Sequence, residues 1–132
     1  MPDRTLSSPP TSPAAVSLPP RYGSPISLAA AKVVLEAAES EALRNRWPMV
    51  IAIVDSTGHL VALHRLEQAQ YGSLHVAQVT AETALNFRRP TKAFEEALAG
   101  EIIGAIGVSG MQSAQDAQVA QAGADALAQA PG

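Results

Sequence analysis

The stretch that decides the fold is Ile102–Leu127, which reads IIGAIGVSGMQSAQDAQVAQAGADAL. Its first part, residues 102–108, is rich in β-branched and small residues, and its glycines suit a buried strand that other backbone approaches closely. The chain then turns at Ser109-Gly110, and Ser113 can cap a following helix. Such a strand, turn and helix either pack the helix on a sheet or bind an anion at the helix start, and the glycine spacing favours packing.

The composition limits the classes of function. With 132 residues and a net charge of −3, the chain is one domain with no electrostatic reason to bind nucleic acid or an anionic membrane. It has no cysteine, which excludes disulfides, thiolate catalysis and Cys-ligated metals. No apolar run approaches the length of about 20 residues that spans a bilayer, and residues 1–22 lack the apolar core of a secretory signal. We therefore expect a cytoplasmic protein.

The first 25 residues differ from the rest of the chain. They hold seven of the ten prolines together with many Ser and Thr, and they show no periodic apolar face. The sequence therefore predicts a disordered arm over residues 1–25 and a folded domain over residues 26–132. A proline-rich docking ligand is the alternative for the arm, although only the PxxP spacing points to it.

Apolar periodicity predicts the elements that follow. Ser27 can cap a helix that runs to Arg46, where Trp47-Pro48 ends it. Two apolar runs, residues 49–54 and 59–63, flank a glycine turn and predict a β-hairpin whose first strand is central because it shows no polar alternation. The polar residues at the end of the second run place that strand at an edge or beside a site.

Two further helices are predicted before the last strand. Ser73 begins a helix that ends by Phe87, since Arg88-Arg89-Pro90 breaks it. Thr91 then caps a short helix over residues 92–98 that Gly100 ends. The resulting order is helix, hairpin, two helices, strand and helix, which indicates an α+β fold with helices against a small antiparallel sheet.

Three blocks of this sequence resemble the GlcG/HbpS-like family, also called the haem-degrading or DUF336 family, which includes the C-terminal domain of some corrinoid adenosyltransferases. The blocks are VDSTGHLVALHR (residues 54–65), HVAQVTAETALNFRRPT (residues 75–91) and IIGAIGVSGMQSAQD (residues 102–116). The likeness extends over residues 26–127. It implies a profilin-like antiparallel sheet flanked by helices, assembly as a homo-oligomer, and a pocket for haem, another tetrapyrrole or a small carboxylate.

This chain departs from the family pattern at three places. It has Arg65-Leu66-Glu67 where members usually have an Arg-Met-Asp group, and it has TAETA (residues 80–84) where they usually have a KAxTA pattern. Members also usually carry a glycine-rich loop and a hairpin of about 25 to 30 residues before the last strand, whereas here Gly100 leads directly to Glu101, which predicts a three-stranded sheet near the lower limit of independent stability. Three explanations are open. Either a partner chain completes the sheet, or the helices alone cover it, or this sequence omits the hairpin between residues 100 and 101.

Histidine is the strongest neutral metal ligand left in a chain without cysteine. We expect His75, at the start of the second helix, to face the strand end that carries His64 and to be the axial ligand of a haem iron. Structural roles for all the histidines are the alternative. His59 and His64 do not form a zinc pair, because residues five apart on a strand point to opposite faces.

Other polar residues can complete a ligand site. Two interpretations of the arginines remain open. In the first, the side chains converge to bind carboxylates, and these are Arg65, Arg88 and Arg89. In the second, Arg88 and Arg89 only complement a helix C-terminus. The resemblance suggests that Thr80 helps to line the walls, with Ser109 and Gly110 as the floor. If the protein is instead an enzyme that performs proton transfer or rearrangement on a small metabolite in the same pocket, the candidate acids are Asp55, Glu67, Glu82 and Asp116.

Overall fold

The computed structural model describes residues 18–89, 93–95 and 100–129. Its elements, in chain order, are α1 (Leu28–Arg44), β1 (Val50–Asp55), β2 (Leu60–Arg65), α2 (Gly72–Asn86), β3 (Ala93–Glu95), β4 (Ile102–Ser109) and α3 (Ser113–Gln129). They form an antiparallel sheet flanked by helices, so the predicted α+β class is confirmed. Within these residues no helix has the length and apolar character needed to cross a membrane.

The sheet has four strands in the order β2-β1-β4-β3. β1 pairs with β2 on one side and with β4 on the other, and all three pairings in the sheet are antiparallel. Every residue of β1 except Asp55 is buried. The predictions of a central first strand and of an edge position for the second are therefore confirmed.

The short helix predicted over residues 92–98 is wrong where the structure describes it, because residues 93–95 form β3. Ala93 pairs with Ala105 and Phe94 pairs with Gly104. Both side chains are buried, Ala93 in the cluster beneath α2 and Phe94 in the cluster beneath α1 and α3. This alternation between the two faces of the sheet has the period of a strand, and pairing with β4 overrides the local helix signals. The predicted sheet of three strands thus becomes one of four.

Helices cover both faces of the sheet. α2 packs on the face formed by Val50, Ala52 and Ala105, whereas α1 and α3 pack side by side on the face that carries Ile51 and Ile106. Gly107 allows α2 to lie directly on β4, since a Cβ atom at this position would be 2.0 Å from the carbonyl oxygen of Ala77. Gly107 therefore serves helix packing, whereas a Cβ atom at Gly104 would be 2.5 Å from the Val54 carbonyl oxygen of the neighbouring strand.

The helices α1 and α2 share one type of C-terminal ending. Ser27 caps α1 by accepting a hydrogen bond from the Ala30 N–H, as predicted, but the helix ends at Arg44 rather than Arg46. Arg46 adopts a left-handed conformation with φ 60°, and the Trp47 N–H donates to the Ala42 carbonyl. This is a Schellman motif with arginine where glycine is usual. α2 ends in the same way, with Arg88 at φ 51°.

The N-terminal segment belongs to the folded domain from residue 21 onward. The Gly23 N–H donates to the Ile102 carbonyl, and the Ile102 N–H donates to the Arg21 carbonyl, so this segment pairs with β4 beyond the end of β1. The Tyr22 hydroxyl also donates to the Leu85 carbonyl at 2.7 Å. The predicted arm boundary at residue 25 is therefore too late, and residues 1–17 lie outside the described part of the chain.

Candidate functional site

His64 lies near the end of β2, on the sheet face that α1 covers. It pairs with Ile51, whose side chain belongs to the core beneath α1 and α3. Its Nδ1 is hydrogen-bonded to Oε1 of Glu39 on α1 at 2.5 Å, and its side chain is 49% exposed. The contact uses Nδ1, so Nε2 is the ring nitrogen of His64 that remains for another ligand.

His75 lies on α2, which covers the other face of the sheet. The buried side of α2 is formed by Ala77 and Ala81 among others, and His75 is exposed. The expectation that His75 faces His64 is therefore wrong, because the sheet separates the two side chains. Consecutive strand residues point to opposite faces, so it is Arg65, and not His64, that shares a face with α2.

Arg65 and His75 belong to one surface. The Arg65 guanidinium lies over the ring of Tyr71, with its central carbon 5.5 Å from the ring centroid. Tyr71, His75 and Val79 follow at steps of four residues, which places them on one side of α2, with Val76 beside them. Tyr71 is 79%, Val76 50% and Val79 40% exposed. We call Arg65, Tyr71, His75, Val76 and Val79 the α2 strip.

The other predicted residues of α2 and its ends are distributed along the helix. Thr80 is half-buried on the flank of α2 that also carries Val76, four residues earlier. Arg88 lies at the far end, 4.9 Å above the Tyr22 ring, and Arg89 follows it exposed. The 15 residues of α2 span about 22 Å. The predicted convergence of Arg65 with Arg88 and Arg89 is therefore wrong, because the first lies near the start of α2 and the other two lie at its end.

Ser109 and Gly110 lie where β4 meets the start of α2. The Ser109 hydroxyl donates to the hydroxyl of the buried Ser73 at 3.3 Å. Gly110 has φ 152°, and a Cβ atom there would be 2.4 Å from the Pro48 carbonyl oxygen. This turn supports the N-terminal end of α2 from the inner side, and its glycine is required by the close backbone contact.

The predicted acids have different surroundings. Asp55 accepts hydrogen bonds from the N–H and hydroxyl groups of Thr57 at 2.8 and 2.5 Å, and so orders the turn between β1 and β2. Burial raises the pKa of Asp55, but the hydrogen bonds from Thr57 and His59 and the charge of His59 outweigh it, so the pKa lies below the ordinary 3.8. Asp116 accepts from the Met111 N–H at 3.0 Å, in the first turn of α3. Glu82 is exposed on α2.

The Asp55 interactions predict an acid-sensitive stability. Because the folded-state pKa of Asp55 lies below its ordinary value of 3.8, the carboxylate stabilises the folded protein above that pH, and the stabilisation is lost as the pH falls through the folded-state pKa. We expect Asp55→Asn to lower the free energy of unfolding at pH 7 by about 0.5–1 kcal/mol, a small value because water screens the site, and to lower it less in acid. Urea unfolding between pH 7 and about pH 3 measures this. Glu82→Gln controls for net charge, and an equal pH dependence in Asp55→Asn and the wild type would contradict the prediction.

A cleft that the sequence interpretation missed lies between the C-terminal end of α1 and the end of β2. It has a volume of about 520 Å³. Its apolar walls are Leu43, Trp47, Pro48 and Leu66, and its charged lining residues are Glu39, Arg46, Arg65 and Glu67. We call it the Trp47 cleft. The signal available in the sequence was Arg46-Trp47 itself, a cation and the single tryptophan placed where a helix must end before proline.

A smaller cleft of about 370 Å³ adjoins the Trp47 cleft. It shares Arg65, Glu67 and Gln68 with its neighbour and extends to Tyr71, so Arg65 lies between the Trp47 cleft and the α2 strip. His64 and His75 line neither cleft. In the described ranges, no group of three or more His, Asp or Glu side chains is arranged to hold a metal ion.

Comparison with known proteins gives a consistent family. The model of the family described as "Haem degrading protein HbpS-like" matches residues 26–100 and 97–125. The protein GlcG of Escherichia coli K12 is 36% identical over 103 residues, which cover 60% of this chain and 77% of GlcG. Since 60% of 132 residues is about 79, GlcG has about 24 more residues in the aligned region. The two matched ranges meet near residue 100, where we expect the family hairpin to be absent.

Solved structures share the fold. The Klebsiella pneumoniae protein ORFY, assigned to DUF336, superposes with a TM-score of 0.77 at 20% identity, over 88% of this chain and 99% of that protein. A structure described as the PduOC:heme complex gives a TM-score of 0.72 at 23% identity, over 77% of this chain and 94% of that one. At these identities the likeness shows the fold. With the family match over most of the described residues and the identity to GlcG, it follows that this chain belongs to the HbpS-like (DUF336) family.

Proposed function

We propose that this chain is a small-ligand-binding domain that holds haem, or another tetrapyrrole with carboxylate groups, on the α2 strip between two copies of the chain. The observation that carries the proposal is the exposed His75 beside two exposed valines on the outer part of α2. The chain belongs to a family whose description names haem, and this supports the choice of ligand. A haem complex of a structural neighbour supports it too.

The α2 strip offers the chemical groups that such a ligand needs. A neutral imidazole is a common axial ligand of haem iron, and His75 has no hydrogen-bond partner among the described residues. Val76 and Val79 offer apolar surface to the face of a flat macrocycle. Arg65 lies near the start of the same helix, where its guanidinium suits a propionate carboxylate.

One chain supplies only one side of this site. His75 lines neither cleft, so a macrocycle on the strip would have its other face in water. A second copy placed against the strip would cover that face and would also bury Val76, Val79 and Tyr71, which gives a hydrophobic reason for a homo-oligomer. The residues of a single chain therefore fit haem on one face, and the proposal requires the oligomer.

Titration with haemin tests the proposal. We expect a saturable shift of the Soret band at about one haemin per two chains, and we expect His75→Ala to weaken binding at least tenfold, since the variant loses the iron ligand. His64→Ala is the matched control, because it removes an exposed histidine from the opposite face of the sheet, and it should bind as the wild type does. Sedimentation velocity should show a dimer or larger assembly with haemin.

Two outcomes would contradict the proposal. One is a Soret shift that survives in His75→Ala, and the other is a haemin complex that sediments as a monomer. Because His75 is exposed, its replacement should leave the circular dichroism spectrum unchanged, so a loss of binding would report on the ligand contact rather than on folding. For the enzyme alternative, the lowered pKa of Asp55 keeps this carboxylate ionised at neutral pH and makes it a weak general base.

A further inference from the structure

We propose that the Trp47 cleft is a second binding site, which shares only Arg65 with the α2 strip, for a small carboxylate with an aromatic or branched apolar body. The site does not rest on haem binding, since His75, Tyr71 and the valines of the strip do not line it. Three features of the cleft carry the proposal: the backbone of its arginine, the charges that remain unpaired, and the apolar walls.

The backbone places arginine where glycine is the usual residue. Arg46 occupies the left-handed position that ends α1, with φ 60°. Gln68, which lines the same cleft, is also left-handed, with φ 69°. Residues with a Cβ atom are strained in this region, and such strain concentrates at functional sites. Glycine at position 46 would relieve this strain but would remove the guanidinium group. The strained backbone therefore points to a role for the Arg46 side chain.

The charges in the cleft favour an anionic ligand. In the ranges that the structure describes, no carboxylate forms an ion pair with Arg46. Glu39 is already bound to His64, and Arg65 adds a second guanidinium. Glu67 is the remaining carboxylate of the lining, so the lining groups without an ion pair in the described ranges are two cations and one anion, and Arg65 also lies over the Tyr71 ring. This balance suits a single carboxylate and disfavours a ligand with an amine as its only charge.

The walls of the cleft suit a compact apolar group. Leu43 is 58% exposed, and Trp47 and Pro48 are partly exposed beside it. The volume of about 520 Å³ lies within the range of about 300–1,000 Å³ for small-molecule sites. A ligand with an aromatic ring would cover this surface while its carboxylate meets Arg46.

The test uses 3-phenylpropionate as the probe and phenethylamine as a probe of similar shape but opposite charge. Trp47 is the single tryptophan of the chain, so tryptophan fluorescence, excited at a wavelength that the two tyrosines do not absorb, reports on this cleft. We expect 3-phenylpropionate to change the emission in a saturable manner, and we expect phenethylamine to cause at least a tenfold weaker response.

Arg46→Gly separates binding from folding. We expect its melting temperature without probe to equal or exceed that of the wild type, because glycine is preferred at this helix end, and we expect its affinity for 3-phenylpropionate to fall at least tenfold. Arg44→Gln is the matched control, since it removes a cation two residues away that pairs with Glu41 and lies outside the cleft. Equal affinity in Arg46→Gly and the wild type, no saturable response in the wild type, or equal binding of both probes would overturn the proposal. Haemin titration of Arg46→Gly should match the wild type, which distinguishes this site from the α2 strip.

Discussion

Gly107→Ala is expected to lower the free energy of unfolding by at least about 3 kcal/mol, a large part of the about 5–15 kcal/mol by which a domain of this kind is stable. A Cβ atom on residue 107 would lie 2.0 Å from the carbonyl oxygen of Ala77 and 2.5 Å from the amide nitrogen of Ala81. Both are backbone atoms of α2, so no side-chain rotation relieves the overlap. The whole helix would have to move away from β4.

Such a movement would disrupt more than one contact. α2 covers Val50, Ala52 and Ala105 on the sheet, and its side chains Ala77 and Ala81 are fully buried against them. Lifting the helix would expose this apolar face along its length. It would also displace His75 relative to Arg65, so a variant that remained folded should bind haemin more weakly.

Urea unfolding followed by circular dichroism measures the effect. Gly72→Ala is the matched control, because a Cβ atom there has no neighbour within 4 Å and alanine favours the helix. We expect this control to equal or exceed the stability of the wild type. A Gly107→Ala variant that unfolds at the same urea concentration as the wild type would show that α2 does not lie on β4 as described.

Much of the fold could be predicted because local patterns and tertiary packing agree. The helices α1, α2 and α3 have an apolar period that matches the face they bury, and β1 and β4 are apolar runs of the length that is typical of buried strands. β3 fails this test. The sequence around β3 has residues typical of helix boundaries, Thr91 and Gly100, but Ala93 and Phe94 pair with β4. β4 comes later in the chain, and the local sequence of β3 does not reveal this pairing.

The site was harder to predict, for a geometric reason. His64 and Arg65 are neighbours on a strand, so their side chains leave the sheet on opposite faces. β1 is buried on both faces, so its sequence does not indicate whether α2 covers the face of the sheet that carries His64 or the face that carries Arg65. Arg46 was not predicted as a site residue because the predicted helix included it. In the structure the helix ends earlier, and Arg46, with its left-handed backbone, lines the Trp47 cleft.

Ile106→Ala is expected to lower the free energy of unfolding by about 2–5 kcal/mol, the range for deleting a fully buried isoleucine side chain. Ile106 lies in the middle of β4 opposite Ile53, and its side chain has no exposed surface. It reaches to the point where α3 meets α1, since its Cδ1 atom is 3.1 Å from where a Cβ atom of Gly123 would lie.

The cavity left by this change should be difficult to fill, which favours the upper part of the range. The neighbouring Val34 and Ile53 are themselves fully buried and branched at Cβ, so they have little rotamer freedom with which to move into the space. Ile103→Ala is the control on the same strand, because Ile103 is only partly buried. Urea unfolding should show a clearly smaller loss for it, and Ile106→Val should lose about 0.5–1.5 kcal/mol. Equal losses for Ile103→Ala and Ile106→Ala would mean that α1 and α3 do not close over the centre of β4.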